Sequence, residues 1–227
     1  MSNSDWVLVG TTLFLGTVAL FVPYLAEVLK RKFFAPKLII SYKHQPPFYK
    51  KTYFSVRGQD KKFPVYFFNF QVENIGQSQA RYCEAIIEEF WIYDVSGKPQ
   101  KYPNFSAPHL RYDEQGTRFL QINPTRRLNW NIGHIASREF QEKFDLHSDT
   151  SIPGQADDRN RFMLEQMEIL NSQPNSFGAG KYAIKVGVYS ENSPPVSSFF
   201  QIIWSGKWQD TEVEMFREIV ISEIKSP

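Results

Sequence analysis

The sequence holds a single cysteine, Cys83, so no disulfide can form within the chain and no CxxC pair exists to build a thiolate zinc site. The folded part must therefore be held by its apolar core. A large charge of either sign is also missing. The formal net charge is +2, and four of the cations, Lys30, Arg31, Lys32 and Lys37, fall in one short stretch. The remainder is close to neutral, which leaves no basic stripe for a nucleic-acid face. GxGxxG, GxxxxGK(S/T) and GxSxG are all absent. That removes the usual phosphate-cradling loops and the nucleophile elbow. His44, His109, His134 and His147 occur at neither HxH nor HxxxH spacing. There is no βαβ alternation, no repeat of fixed period and no low-complexity tract.

One long apolar run is present. Trp6 to Ala26 reads WVLVGTTLFLGTVALFVPYLA and carries no charge. At 1.5 Å per residue such a helix rises about 31 Å, the thickness of a hydrocarbon core. Trp6 and Tyr24 suit the two interfaces. A basic n-region is missing before it, the run is long for a signal peptide, and no small-x-small cleavage site follows. The expected organisation is a short tail (1–5), a transmembrane helix (6–29), a basic linker (30–37) and a β domain (38–227). Lys30, Arg31 and Lys32 lie on the C-terminal side only, so the positive-inside rule places the N-terminus outside and the main domain in the cytoplasm.

Beyond the linker, alternation at period two dominates. In FPVYFFNFQVENIG, Tyr66, Phe68, Phe70 and Val72 share one face, while Asn69, Gln71 and Glu73 share the other. KLIISYKH reads as a first strand, and Gln45–Lys62 as a long loop or weak hairpin. RYCEAIIEEFWIYD reads as a second long strand whose alternation slips between Ala85 and Phe90, as at a bulge. Leu120 with Ile122, and Leu128 with Trp130 and Ile132, mark two shorter strands. SREFQEKF predicts a helical turn, and RFMLEQMEIL leans to helix. Tyr182, Ile184, Val186 and Val188 mark a strand that pairs with SSFFQIIW. TEVEMF predicts a short helix, and REIVISEI a last strand or helix. Some seven strands with helical patches only as insertions predict an antiparallel β-sandwich with short helical insertions, preceded by one N-terminal transmembrane helix.

The uncharged span, KRKFFAPKL, FNFQVENIGQSQARYCEAIIEEFWIYD, YAIKVGVYSEN and FFQIIWSGKW together resemble uncharacterised prokaryotic single-pass membrane proteins. The resemblance implies an immunoglobulin-like sandwich for the soluble part. It implies no functional residues.

Candidate chemistry is sparse. In DLHSDT, Asp145, His147 and Asp149 alternate, and Asp157 and Asp158 follow; the segment reads as a solvated acidic loop or as ligands for a divalent cation. Trp204 and Trp208 flank Ser205-Gly206-Lys207 and read as core and edge or as a surface for a sugar or partner. Adjacent strand residues Glu88 and Glu89 are expected on opposite faces, which makes them unsuited to paired acid–base work. His134 near Ser137 lacks a third partner for a triad. No catalytic residue and no cofactor is expected. The sequence points to a non-enzymatic module at the cell membrane, with the lipid bilayer and a protein as partners. The alternative is a ligand sensor for a sugar or divalent metal.

Overall fold

A computed structural model describes residues 3–56, 58, 60–112, 118–144, 160–167 and 174–227. The first element, α1 (Asn3–Phe34), is a continuous helix of 32 residues that runs through Pro23. Its length is about 48 Å. Thr11–Leu29 has a mean hydropathy of 1.8 and buries nothing against the rest of the chain, leaving Leu20 at 79% exposure. Among the described residues it is the one helix long and apolar enough to span a membrane. Thr17 keeps its hydroxyl satisfied by donating to the Leu13 carbonyl at 2.8 Å. The basic residues at 30–32 continue the helix, so the expected linker shrinks to Ala35–Lys37.

The β domain comes next as β1 (Leu38–Ser41), β2 (Tyr49–Ser55), β3 (Lys62–Asn74), β4 (Ala80–Tyr93), β5 (Pro99–Lys101), β6 (Leu120–Ile122), β7 (Arg127–Ala136), α2 (Arg138–Lys143), β8 (Phe162–Leu164), β9 (Ser176–Phe177), β10 (Gly180–Ser190), β11 (Ser193–Trp204), α3 (Glu212–Glu218) and β12 (Ile219–Ile224). The strands form two antiparallel sheets curled into a half-barrel. The first runs β1-β3-β7-β8-β9, with β2 also on β3. Here β1 covers Gln71–Asn74 and β2 covers Lys62–Phe68, so the two make one interrupted edge. The second runs β12-β11-β10-β4-β5, with β6 on the β5 side of β4.

A short segment ties the sheets together along one side. Leu110 N donates to Ala85 O at 2.8 Å in the second sheet, and Arg111 N donates to Glu165 O at 3.0 Å beside the first. Met167 N donates back to His109 O at 2.8 Å. Between the sheets lies an aromatic core. Phe70 meets Phe200 at 5.9 Å and Trp130 at 6.3 Å, and Phe90 meets Tyr182 at 5.9 Å. All five are at most 1% exposed. Burying each such side chain contributes about 1.5–3 kcal/mol, which is what holds a domain without disulfides.

Tyr66, Phe68, Phe70 and Val72 all face the core, as their alternation predicts. Of the two readings of Gln45–Lys62, loop or hairpin, the hairpin forms: β2 pairs antiparallel with β3. The expected helix at RFMLEQMEIL is not formed over Phe162–Leu164, which is strand β8. Its three residues are all buried between β7 and β9, and ladder pairing there overrides local helix propensity. The bulge predicted in β4 falls at Glu88, because Lys185 pairs with Glu89 and Val186 with Ile87. The extra residue restores Glu88 and Glu89 to the same outer face, correcting the opposite-face expectation. There Glu88 meets Lys185 at 2.8 Å, and Glu89 meets Lys101 at 3.1 Å. The Glu88 carboxylate holds the Lys185 ammonium above its ordinary pKa.

Cys83 is fully buried beside β6, and burial pushes its thiol up to about 11. The neutral thiol is a poor nucleophile. Native protein at pH 8 is therefore expected to resist iodoacetamide and to react once denatured; mass spectrometry reads the difference, and rapid native alkylation would contradict the packing.

Candidate functional site

The outer face of the first sheet carries a groove of about 850 Å³. It forms because the face is not flat. The β3–β7 register slips between Phe68 and Asn69, where Phe68 pairs with Gly133 and Asn69 with Asn131. The extra residue bends β7 and sets the His134 side chain on the groove face. Helix α2 then covers one end: Phe140 packs on Phe54 at 4.9 Å and on Phe63 at 5.4 Å. Arg111, Gln166 and Asn175 also line the groove.

At the centre His134 Nδ1 and Glu165 Oε1 lie 2.5 Å apart, with the two side chains only 13% and 12% exposed. The imidazole is enclosed by rings, Phe54 at 5.3 Å and Phe67 at 5.4 Å. The pair joins β7 to the residue after β8 and holds the groove floor in place. It makes no triad: Ser137 Oγ is buried without a hydrogen-bond partner among the described residues, so it is not bonded to His134.

Three other polar atoms in the groove lack partners among the described residues: Asn69 Oδ1, Arg111 Nε and Gln166 Oε1. Asn69 is 5% exposed and Gln166 3%. A buried polar atom left unpaired costs about 1–3 kcal/mol, so natural proteins seldom keep several together without a use. Neighbouring amides are already occupied, as where Gln71 donates to Asn129 Oδ1 at 3.3 Å. One guanidinium donor and two amide acceptors are thus left buried and unpaired on residues that line an aromatic-sided groove.

The sites expected from the sequence lie elsewhere. Trp204 is 2% exposed, and its Nε1 donates to the Asn160 carbonyl at 3.1 Å, so it is core and no surface platform. Trp208 is half-buried; its ring packs on Tyr66 at 5.1 Å and its Nε1 donates to Asp210 Oδ1 at 3.0 Å. The two do not form a joint surface. Burial of Trp204 is fixed by its place at the end of β11, which the flanking glycine does not alter. Asp145, His147 and Asp149 lie outside the described residues. Among the described residues no three His, Cys, Asp or Glu side chains converge to hold a metal ion. Tyr24 is exposed on α1, and Trp6, Lys30, Arg31 and Lys32 belong to the same helix.

The groove residues carried little signal. Asn69 sits on the polar face of an alternating strand and reads as solvated. Arg111, Glu165 and Gln166 lie in stretches without periodicity.

No family model matches the chain, and no curated protein matches it. Two solved structures are similar to parts of it. One is Northeast Structural Genomics Consortium target SoR45, at 10% identity over 70% of this chain and 79% of that one, with a TM-score of 0.27. Another is a Bordetella pertussis protein carrying the provisional name ApaA, at 11% identity over 72% of this chain and 88% of that one, with a TM-score of 0.28. Likenesses this slight carry neither fold nor activity across.

Proposed function

We propose that this chain is a single-pass membrane protein whose β domain, immunoglobulin-like in kind, binds an extended segment of a partner protein in the groove on its first sheet. The observation that carries the reading is the set of unpaired atoms Asn69 Oδ1, Arg111 Nε and Gln166 Oε1 in a groove of about 850 Å³. A peptide backbone alternates carbonyl acceptors with N–H donors, which complements one donor and two acceptors. The rings of Phe54, Phe67 and Phe140 offer area to its side chains. Two facing antiparallel sheets support the immunoglobulin-like assignment. The basic residues after the apolar run support a cytoplasmic domain with the N-terminus outside. The module is non-enzymatic.

A displayed peptide library, panned on the full chain in lipid nanodiscs, tests the groove. Enriched peptides are expected to bind Arg111→Ala at least about tenfold more weakly, since a hydrogen bond from a charged donor contributes about 1.5–3 kcal/mol. Asn69→Leu should weaken them in the same direction. Peptides that bind wild type and both variants alike, or no enrichment at all, sink the proposal. A glycan array run in parallel scores the second reading, a sugar, which the Asn131 side chain beside Phe54 and Phe67 in the groove lining favours. A reporter after Pro227, probed by protease on intact cells, tests the orientation.

A further inference from the structure

The connection between α1 and the β domain is three residues long, Ala35–Lys37, and it is clamped. Lys37 N donates to Asn74 Oδ1 at 3.2 Å, and Ile75 N donates to Lys37 O at 2.8 Å. Gly76 lies so close that a Cβ there would fall 2.4 Å from Lys37 N and 2.5 Å from Ala35 O. The connector is therefore fixed to the domain right up to the end of the helix.

Its distance from the apolar run is set by the helix itself. The apolar window ends at Leu29, and five more helical residues, 30–34, extend it. They rise about 7.5 Å. The headgroup layer of one leaflet is about 5–7.5 Å thick. If α1 lies in a bilayer, on which this inference rests, the clamped end of the domain emerges at the headgroup boundary.

That end is a rigid rim. Side-chain amides knit its turns together. Asn74 Nδ2 donates to Ser78 O at 2.7 Å and to Ile122 O at 2.8 Å. Gln79 Nε2 donates to Asn123 Oδ1 at 2.7 Å. Asn192 Nδ2 donates to Gln79 O at 2.9 Å, while Arg81 N donates to Asn192 Oδ1 at 3.0 Å.

The rim presents cations and apolar side chains together. Lys37, Arg81 and Arg126 are exposed, with no ion pair among the described residues. Exposed Glu191 opposes them, whereas Glu73 is occupied by Arg127 at 2.9 Å. Ile75 is 46% exposed, Tyr82 58% and Phe119 48%. Tyr82 sits at φ 50°, in a register shift between Ala80 and Cys83 against β6. A non-glycine residue in that region is strained, and the ring it carries here is exposed. The Tyr82 ring meets Phe119 at 6.2 Å, and the Arg118 guanidinium lies over Phe119 at 4.9 Å. Arg118 is itself paired to Glu84 at 3.3 Å, which leaves Arg81 and Arg126 as the arginines free for phosphate. Rings at the glycerol level with cations on phosphate are what a headgroup layer accepts.

We infer that this rim (Lys37, Ile75, Arg81, Tyr82, Phe119 and Arg126) is a lipid-contacting surface that seats the domain on anionic headgroups. Seating would hold the domain in one orientation, with its groove presented along the membrane at constant height.

The test uses the full chain carrying Gln77→Cys, an exposed position on the rim, labelled with an environment-sensitive fluorophore. The protein is compared in nanodiscs of phosphatidylcholine and of the same lipid with one-third phosphatidylglycerol. The expected result is blue-shifted emission, quenched by headgroup spin-labelled lipid, in the anionic discs alone and reversed by high salt. Arg81→Glu with Arg126→Glu should abolish the shift, and Lys37→Glu alone should weaken it; melting curves of each variant confirm folding. Identical emission in both discs, or a shift that survives charge reversal, overturns the inference. Co-migration with the discs is scored separately. A chain that stays outside the discs refutes the membrane span and this surface together, whereas a chain inside them with no shift refutes the surface alone.

Discussion

Asn74→Leu is expected to lower the melting temperature by about 6–12 °C, from a loss of about 3 kcal/mol in a domain of this size. Asn74 is fully buried, yet its side chain uses every bond it can make there. Oδ1 accepts from Lys37 N at 3.2 Å and Gly76 N at 3.0 Å; Nδ2 donates to Ser78 O at 2.7 Å and Ile122 O at 2.8 Å. Leucine has the same branching and the same number of side-chain heavy atoms, is bulkier, and supplies none of these contacts. Water can reach some of the stranded groups, but the bond to Ile122 O is buried, so that carbonyl bears the full cost. The loss is also positional. Asn74 joins the connector after α1 to the turn after β3 and to β6, so the variant should loosen the anchor as well as the domain. Thermal unfolding by circular dichroism in detergent gives the first quantity, and proteolysis at Ala35–Lys37 gives the second. A drop below about 2 °C would mean the four bonds contribute little beyond what solvent replaces.

Gly133→Ala should destabilise by about 2–3 kcal/mol and abolish ligand capture by the groove while leaving the second sheet folded. An added Cβ would lie 2.2 Å from Phe162 Cε1 and 2.3 Å from Met163 O. The ring can turn, but the carbonyl belongs to the backbone of β8, which pairs with β7 through Gly133–Leu164 and His134–Met163. The strand must therefore move away. With it go Glu165, the partner of His134, and the Arg111 N to Glu165 O bond that ties the inter-sheet segment to the first sheet. Gly16→Ala is the control, because nothing lies within 4 Å of a Cβ there. Urea unfolding and proteolysis within 160–167 report the two effects. Unchanged stability with an intact β8 would show that the groove floor is softer than its geometry implies.

The strands that the sequence made legible are those whose pattern is local. Tyr66, Phe68, Phe70 and Val72 alternate without interruption, and all four are buried. The slip between Ala85 and Phe90 was visible as a break in alternation, and the bulge at Glu88 lies within it. What that break did to Glu88 and Glu89 was not visible, because a bulge changes the face of one residue relative to the next and only the partner strand shows where. RFMLEQMEIL misled for a related reason. A three-residue strand between two neighbours has too few residues to display a period, and one of those neighbours, β7, lies about thirty residues back along the chain. Trp204 and Trp208 look alike in sequence, but one ends a central strand under the core and the other lies on a loop against Tyr66.

The groove is the extreme case. Asn69, Arg111, His134 and the pair Glu165 and Gln166 come from separate parts of the chain, brought together by a register slip, a helix over one end and the segment joining the sheets. The sequence alone determined the apolar helix of membrane-spanning length, the charge beyond it, and the mainly β character of the domain on its C-terminal side, since those depend on composition and on periods within a single element. The tertiary structure alone decided which polar atoms would be buried without partners and which cations would stand on the rim beside α1. Satisfaction and exposure depend on every neighbour in space, and most of those neighbours are far away along the chain.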